Sequence, residues 1–396
     1  MNSGIAGFPA NMEQARERFH ATRDGAYLNT AAEGLLLDSH AAALTRYAEC
    51  KTRGSAGREE CAAAEARCRA LVARMLRARP EDIAFVASTA RGLDAVIKSI
   101  GWRAGDNVVL ADTEFPTTMF AATLLAQRGV ECRVVRARGG QVTVADFAAR
   151  IDDRTRLVLA STVSFKTGNR MDIAALSAVT RERDALLFVD AIQAFGAIPV
   201  DCDSADFLCA GTYKWQLGCH GLAVLYVKPG VTDRLEVPYV GYRSVVDIFP
   251  PGPNGTFELH DDARRFEEGM PNYPAIFVLE NALTFLEEIG VNRIAAYNAS
   301  LITQAMSGLE ELGIVTLTTR DPDARASIVS FETPLAAEVV SRLGKSGIHV
   351  WGRDGRIRMS AHLYNNSDDI VQFITAIEKL IRDGIRLQSS PSPEKG

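Results

Sequence analysis

Asp190 closes the apolar run 186–190, and Lys214 follows the next such run, 207–210, across Gly211-Thr212-Tyr213. A carboxylate and an amine thus each stand just past the end of a candidate buried strand, and in an open α/β sheet such ends collect ligands in one crevice. Singly, the two read as a capping acid and a solvated cation. Together they meet a specific chemical need. A lysine can hold an aldehyde as a Schiff base, and a carboxylate can keep a pyridine nitrogen protonated, so that the ring withdraws electrons from a substrate carbanion. Those are the requirements of pyridoxal phosphate. Gln193, three residues past Asp190, is placed to donate to the phenolic oxygen of such a ring; otherwise it is a solvated helix residue.

Further residues fit around the pair. Val86-Ala87-Ser88-Thr89-Ala90 is a strand ending in hydroxyl residues that open a helix. Free N–H groups and the positive dipole end make that turn an anion site, although a plain Ser/Thr cap has the same sequence. Phe115, in Glu114-Phe115-Pro116, is placed to lie on a pyridine face or to fill the core. In Arg356-Ile357-Arg358-Met359-Ser360 the period of two puts Arg356, Arg358 and Ser360 on one face. Such a guanidinium can clamp a substrate carboxylate through two parallel hydrogen bonds, or serve only as an edge-strand charge. His362 reads as structural rather than as a base.

The elements needed to position these groups are legible as periodicity. Short runs at 83–87, 107–111, 133–136, 157–162, 186–190, 207–210 and 222–227 are apolar without alternation, as strands buried on both faces are. Helical patterns at 91–100, 117–127 and 173–183 supply crossovers, and 39–77 is Ala-rich and helical with a break at 54–57. The reading is an α/β fold: a large domain with a mostly parallel seven-stranded sheet flanked by helices, then a smaller α+β domain. The latter has helices at 275–289, 293–312, 334–345 and 368–382 and strands at 314–318, 326–331 and 348–351. Residues 1–25 form an N-terminal segment, 26–250 the large domain and 251–387 the small one; 388–396 is an expected disordered tail.

The chain has 396 residues, 44 Lys+Arg against 49 Asp+Glu, a net charge of −5 and 47% apolar residues. This excludes wholesale disorder and offers no basic footprint for nucleic acid or an anionic membrane. Small-molecule substrates are expected. The seven cysteines are scattered without C-x-x-C spacing, which argues against a metal site and for a reducing compartment. With no leader pattern at 1–12 and no apolar run of membrane length, the expected location is the cytoplasm.

In order and spacing, the set resembles the fold-type I pyridoxal phosphate enzymes of the class V aminotransferase group, which includes cysteine desulfurases, isopenicillin N epimerase-like proteins and kynureninase. The matching pieces are Tyr27-Leu28-Asn29-Thr30-Ala31, Ser88-Thr89-Ala90, Glu114-Phe115-Pro116, Val189-Asp190-Ala191-Ile192-Gln193, Tyr213-Lys214-Trp215, Arg265-Phe266-Glu267-Glu268-Gly269 and Arg358-Met359-Ser360-Ala361-His362-Leu363-Tyr364-Asn365. The resemblance implies Lys214 as the Schiff-base lysine and proton shuttle, Asp190 under the pyridine nitrogen and Gln193 on the phenolic oxygen. It further implies Ser88, Thr89 and Ala90 around the phosphate, Phe115 on the ring, Thr212 and Tyr213 beside the lysine and Arg358 on the substrate carboxylate. A homodimer is implied, with part of 255–275 reaching the partner.

Three departures matter. Residues 346–358 contain no cysteine, where desulfurases carry their nucleophile. Met270 stands in place of a Thr that reaches the neighbouring phosphate, a bond for which Tyr213 or Tyr273 is a candidate replacement. Phe165 stands where desulfurases use Asn as a second carboxylate contact, with Asn29 as a candidate substitute. The expected activity is therefore that of a cysteine-conjugate C–S lyase acting by β-elimination. An aminotransferase or epimerase, or a coupled decarboxylation and deamination, is the alternative, and a cofactor-free scaffold the rival from another class.

Overall fold

The computed structural model describes residues 12–249 and 255–388; the expected tail beyond Gln388 lies outside them, as does 1–11 of the expected N-terminal segment. After a short strand, β1 (Ala26–Tyr27), the unalternated apolar runs become β2 (Ile83–Val86), β3 (Asn107–Ala111), β4 (Glu131–Val135), β5 (Thr155–Ser161), β6 (Leu186–Asp190), β7 (Phe207–Gly211) and β8 (Ala223–Val227). They form one seven-stranded sheet in the order β2-β8-β7-β6-β5-β3-β4. Only β8 runs against its neighbours. The lack of alternation is explained by the two cores the sheet divides. Val109, Val158, Val189 and Leu208 face one, and Leu110, Leu159, Phe188 and Cys209 face the other.

Helices Thr89–Lys98, Pro116–Leu124 and Ile173–Glu182 are the crossovers. The Ala-rich stretch folds as His40–Thr52 and Arg58–Leu76, separated by a single tight turn at Gly54–Gly57. Helix Tyr273–Ile289 joins Arg58–Leu76 in the core beneath the main sheet through Ala275, Leu279 and Leu286.

Strands β9 (Ile328–Glu332), β10 (Ile348–His349), β11 (Trp351–Arg353) and β12 (Arg356–Ser360) complete the set. β12 lies between β11 and β9 in an antiparallel sheet. Its Ile357 and Met359 enter a second core with Phe331, Val339 and Phe373, so Arg356, Arg358 and Ser360 point the other way. β1 pairs in parallel with β10, and Ser360 N–H donates to Leu28 O at 2.9 Å, which carries Asn29 to the arginine strand.

The strand expected at 314–318 does not form. Only an isolated bridge joins Thr316 to Phe331. Ser330 N–H donates to the Thr318 side-chain oxygen instead of to a backbone carbonyl, and the Thr318 hydroxyl donates to Thr167 O. Threonine hydroxyls replace the ladder there. Among the described residues no helix is long and apolar enough to cross a membrane.

Candidate active site

The ends of β2, β6 and β7 surround a cavity of about 180 Å³ lined by Ser88, Thr89, Ala90, Phe115, Asp190, Tyr213 and Lys214, among others. Asp190 is buried at the end of β6 and accepts the Ile192 N–H at 2.9 Å. Loss of water pushes its carboxyl up to about 6, against the pull of that N–H and of the Lys214 ammonium. Lys214 is buried as well. Desolvation first, and the Arg358 charge second, bring its amine down to about 8. Its Nζ lies 5.8 Å from the centre of the Phe115 ring and 5.6 Å from that of Tyr213.

The lysine loop is fixed from several sides. Gly34 N–H donates to Tyr213 O at 2.9 Å, and a Cβ at Gly34 would sit 2.0 Å from the Lys214 carbonyl oxygen. Gly196, at φ +100°, passes Trp215 O so closely that a Cβ would lie 2.3 Å away. The Thr212 hydroxyl donates to Cys219 O at 2.8 Å, inside the loop. The Tyr213 ring stacks on His220 with centroids 4.6 Å apart.

At the start of helix Thr89–Lys98, Ser88 Oγ accepts the Arg91 N–H at 3.1 Å and Thr89 Oγ1 accepts the Gly211 N–H at 2.9 Å. These bonds hold the turn against β7. The N–H groups of Thr89 and Ala90, in the helix's first turn, have no intrahelical acceptor to use. Gln193 is buried outside the cavity lining: its Nε2 donates to Ala31 O at 3.0 Å and its Oε1 accepts the Trp215 indole N–H at 2.8 Å. One amide N–H remains for other use.

Arg358, on β12, lies near enough to the lysine for its charge to act on it. It is 4% exposed, and its Nη1 donates to Phe165 O at 3.0 Å. Its buried Nε has no partner, nor has the buried Oδ1 of Asn29. Among the described residues neither Arg358 nor Lys214 forms an ion pair. Burial brings the Arg358 guanidinium down to about 9, with the Arg356 charge adding to the effect. The Phe165 ring meets Phe115 edge-on, with centroids 5.2 Å apart. His362 is fully buried, its Nε2 3.1 Å from Trp215 O, and burial lowers it to about 3.

The aminotransferase class-V family model matches residues 36–373. The chain belongs to that family. An uncharacterized protein of Schizosaccharomyces pombe is 31% identical over 82% of this chain and 76% of its own length. A probable cysteine desulfurase of Pyrococcus abyssi is 28% identical over 79% and 82%. The fold matches that of an apo cysteine desulfurase of Thermococcus onnurineus with a TM-score of 0.86, at 24% identity over 95% of this chain and 99% of the other. It also matches the cystine C–S lyase C-DES at 0.82, with 23% identity over 90% and 98%.

As a class V member the protein is a pyridoxal-phosphate-dependent enzyme of fold type I, and the cavity fits that cofactor. A buried acid faces a buried, unpaired amine beside an aromatic ring, and helix N–H groups open onto the same space.

Three neighbours escaped the sequence reading. Glu114 is buried, with Oε1 accepting the Ser161 N–H at 2.9 Å and Oε2 its hydroxyl, and burial pushes it up to about 7. Ser161 pairs with Asp190 across β5 and β6. Nothing in the sequence links residues 114 and 161. His220 is likewise invisible as a partner of Tyr213. Trp351, whose ring centre lies 4.9 Å from the Arg358 guanidinium, was readable. Asp354-Gly355 is a two-residue hairpin turn, both residues at positive φ, and it registers Trp351 opposite Arg358.

Met270 is exposed in a neighbouring groove of about 640 Å³ lined also by Ala87, Arg91, Gly221 and Glu268. The Tyr273 hydroxyl donates to Met270 Sδ at 3.6 Å.

Proposed function

We propose that this enzyme releases a thiol from the β-carbon of a cysteine conjugate, a C–S lyase reaction that leaves pyruvate and ammonia after hydrolysis. The observation that carries the reading is the wall around Arg358. A buried guanidinium with an unpaired Nε lies close enough to Lys214 for its charge to act on the amine, which suits it to an α-carboxylate, and residues 346–358 hold no thiol. Residues 346–358 are occupied by β10, β11 and the tight Asp354-Gly355 hairpin, with Trp351 laid over Arg358. Cys209 and Cys219, each five residues from the lysine in sequence, are both pushed up by burial and so are poorly nucleophilic. That arrangement supports elimination without a protein-bound persulfide.

When bound, pyridoxal phosphate supplies the electron sink that stabilises negative charge at Cα. Asp190 holds positive charge at the ring nitrogen, and the N–H groups of Thr89 and Ala90 with the Ser88 turn receive the phosphate. Phe115 would cover one face, and Gln193, held behind the lining by Ala31 and Trp215, would have one amide N–H left for the phenolic oxygen. Arg358, with the Asn29 amide N–H as second donor, grips the α-carboxylate, and Phe165 excludes water beside them. Lys214 Nζ, brought down by burial and Arg358, becomes the neutral base that takes the Cα proton. Thr212 and Tyr213 fix the lysine's backbone. The assembly is a homodimer, with 255–275 at the interface. This is supported by the exposed apolar side chains Val246, Phe249, Phe257 and Met270 along 240–270.

The test is a panel of amino acids with the purified holoenzyme. Pyruvate and free thiol from cysteine conjugates are expected. Amino transfer to a 2-oxo acid, or label exchange at Cα with inversion and no pyruvate, overturns the reading in favour of an aminotransferase or an epimerase. A colourless protein that stays colourless with added pyridoxal phosphate would mark a scaffold.

A further inference from the structure

Arg358 does not stand alone in its wall. Arg356, two residues earlier on the same face of β12, is 7% exposed. Its Nη1 donates to Lys166 O at 3.1 Å, next to the Phe165 carbonyl that Arg358 holds at 3.0 Å. The Arg356 guanidinium lies 5.7 Å from the centre of the Trp351 ring and 5.9 Å from that of Phe165, and Arg358 lies 4.9 Å from the same Trp351 ring. Two buried guanidiniums therefore share one aromatic ring as neighbour. Like charges so placed are mutually repulsive and call for anions.

The protein supplies little compensation. The carboxylate nearest Arg356 is Asp354 at 3.8 Å, with its side chain 78% exposed. A pair of that length with one partner in water is worth little. Glu332 lies opposite on β9, is exposed, and acts only through space. Arg353, opposite on β11, adds further positive charge. The Lys166 ammonium is committed to Asp112 O at 2.6 Å. One α-carboxylate can satisfy Arg358. The two arginines stand two residues apart on one strand, roughly 6.6 Å along it, which is wider than a single carboxylate and matches two anionic groups on one small molecule.

We propose that Arg356 reads a second anion on the substrate, so that the preferred substrates are amino acids bearing a distal carboxylate or sulfonate beyond the β-carbon. This rests on the reading of Arg358 as the α-carboxylate clamp and extends it to the side chain. Phe165 and Trp351 flank the connecting arm, and Asp354 is the internal stand-in that the substrate's second anion displaces.

The test uses ligands that cannot react. Glutarate and butyrate, which lack an amine, are titrated calorimetrically into the protein with and without pyridoxal phosphate. Glutarate is expected to bind at least about tenfold tighter, the worth of one charge-assisted contact. Arg356→Gln is expected to bring the ratio to about one. Asp354→Asn, an exposed change that leaves the fold intact, is expected to raise it. Equal affinities in the wild-type protein, an equal loss of both ligands in Arg356→Gln, or no response to Asp354→Asn overturns the proposal. Pyruvate release from neutral cysteine conjugates without any glutarate preference would sink this inference and leave the lyase reading standing. A glutarate preference without pyruvate release would do the reverse.

Discussion

The two walls of the site are built on opposite plans. On the side of the main sheet the polar side chains are largely spent on the protein itself. Ser88 and Thr89 accept backbone N–H groups, Thr212 donates within its loop, and Gln193 bridges Ala31 and Trp215. What that wall keeps free is backbone N–H at a helix start and one buried amine. On the side of β12 the reverse holds: Arg358 Nε is buried without a partner, and two guanidiniums lie together with one weak counter-charge. A wall whose side chains are internally satisfied is rigid before anything binds, as suits a resident cofactor. A wall left with unmet charge is stabilised by each arriving anion, as suits a substrate that comes and goes.

The largest expected effect breaks the first wall. Lys214→Ala removes the proposed base and Schiff-base amine together, so the visible absorption of the holoenzyme that borohydride abolishes should disappear, and turnover should fall by about a thousandfold or more. Normal turnover in that variant would take Lys214 out of the reaction. The second wall gives a smaller and different signature. Arg358→Ala should leave the absorption band in place and weaken carboxylate-bearing substrates by roughly a hundredfold, the cost of a buried charge-assisted pair. An unchanged KM would locate the clamp elsewhere. If both variants instead lost the cofactor equally, the division of labour between the walls would be wrong.

How much of this was legible in the sequence follows the same division. The strands beneath the first wall are buried on both faces and read as unbroken apolar runs. Hence 107–111 and 186–190 match β3 and β6 at both ends, and Asp190 and Lys214 could be placed at the rim of one crevice. The fold class and the cofactor were readable for that reason. The alternation of 356–360 likewise put both arginines on one face. What one strand cannot tell is which loop that face meets. The carbonyls of Phe165 and Lys166 come from a segment about 190 residues away, and the meeting depends on packing between the two sheets. The failed strand at 314–318 belongs to the same class. Its apolar and β-branched residues fit a strand, but its threonine hydroxyls found partners in Thr167 and Ser330, which no local pattern announces. Glu114 was quoted only for its neighbour Phe115, because a carboxylate held by a serine on another strand leaves no mark on its own surroundings.

Glu114 also supplies the smallest test, and it probes the claim that the first wall is satisfied in advance. Both its oxygens accept from Ser161, yet no cation pairs with it among the described residues, and burial raises its carboxyl from the ordinary 4.5 to about 7. A carboxyl that holds its proton more tightly in the folded than in the unfolded chain costs stability once it must ionise. The fold should therefore gain stability as pH falls from about 7 toward 4.5 and carry the full penalty above 7. The amide introduced by Glu114→Gln would keep an acceptor for the Ser161 N–H and offer its own N–H to the Ser161 oxygen, with no charge to desolvate. The apo form of that variant should accordingly unfold at higher denaturant than wild type at pH 8, by an amount of order 1–3 kcal/mol, with the gap closing near pH 5. A gap independent of pH would mean that the carboxyl of Glu114 titrates alike in the folded and unfolded chain, so that its two bonds to Ser161 offset the burial of its charge.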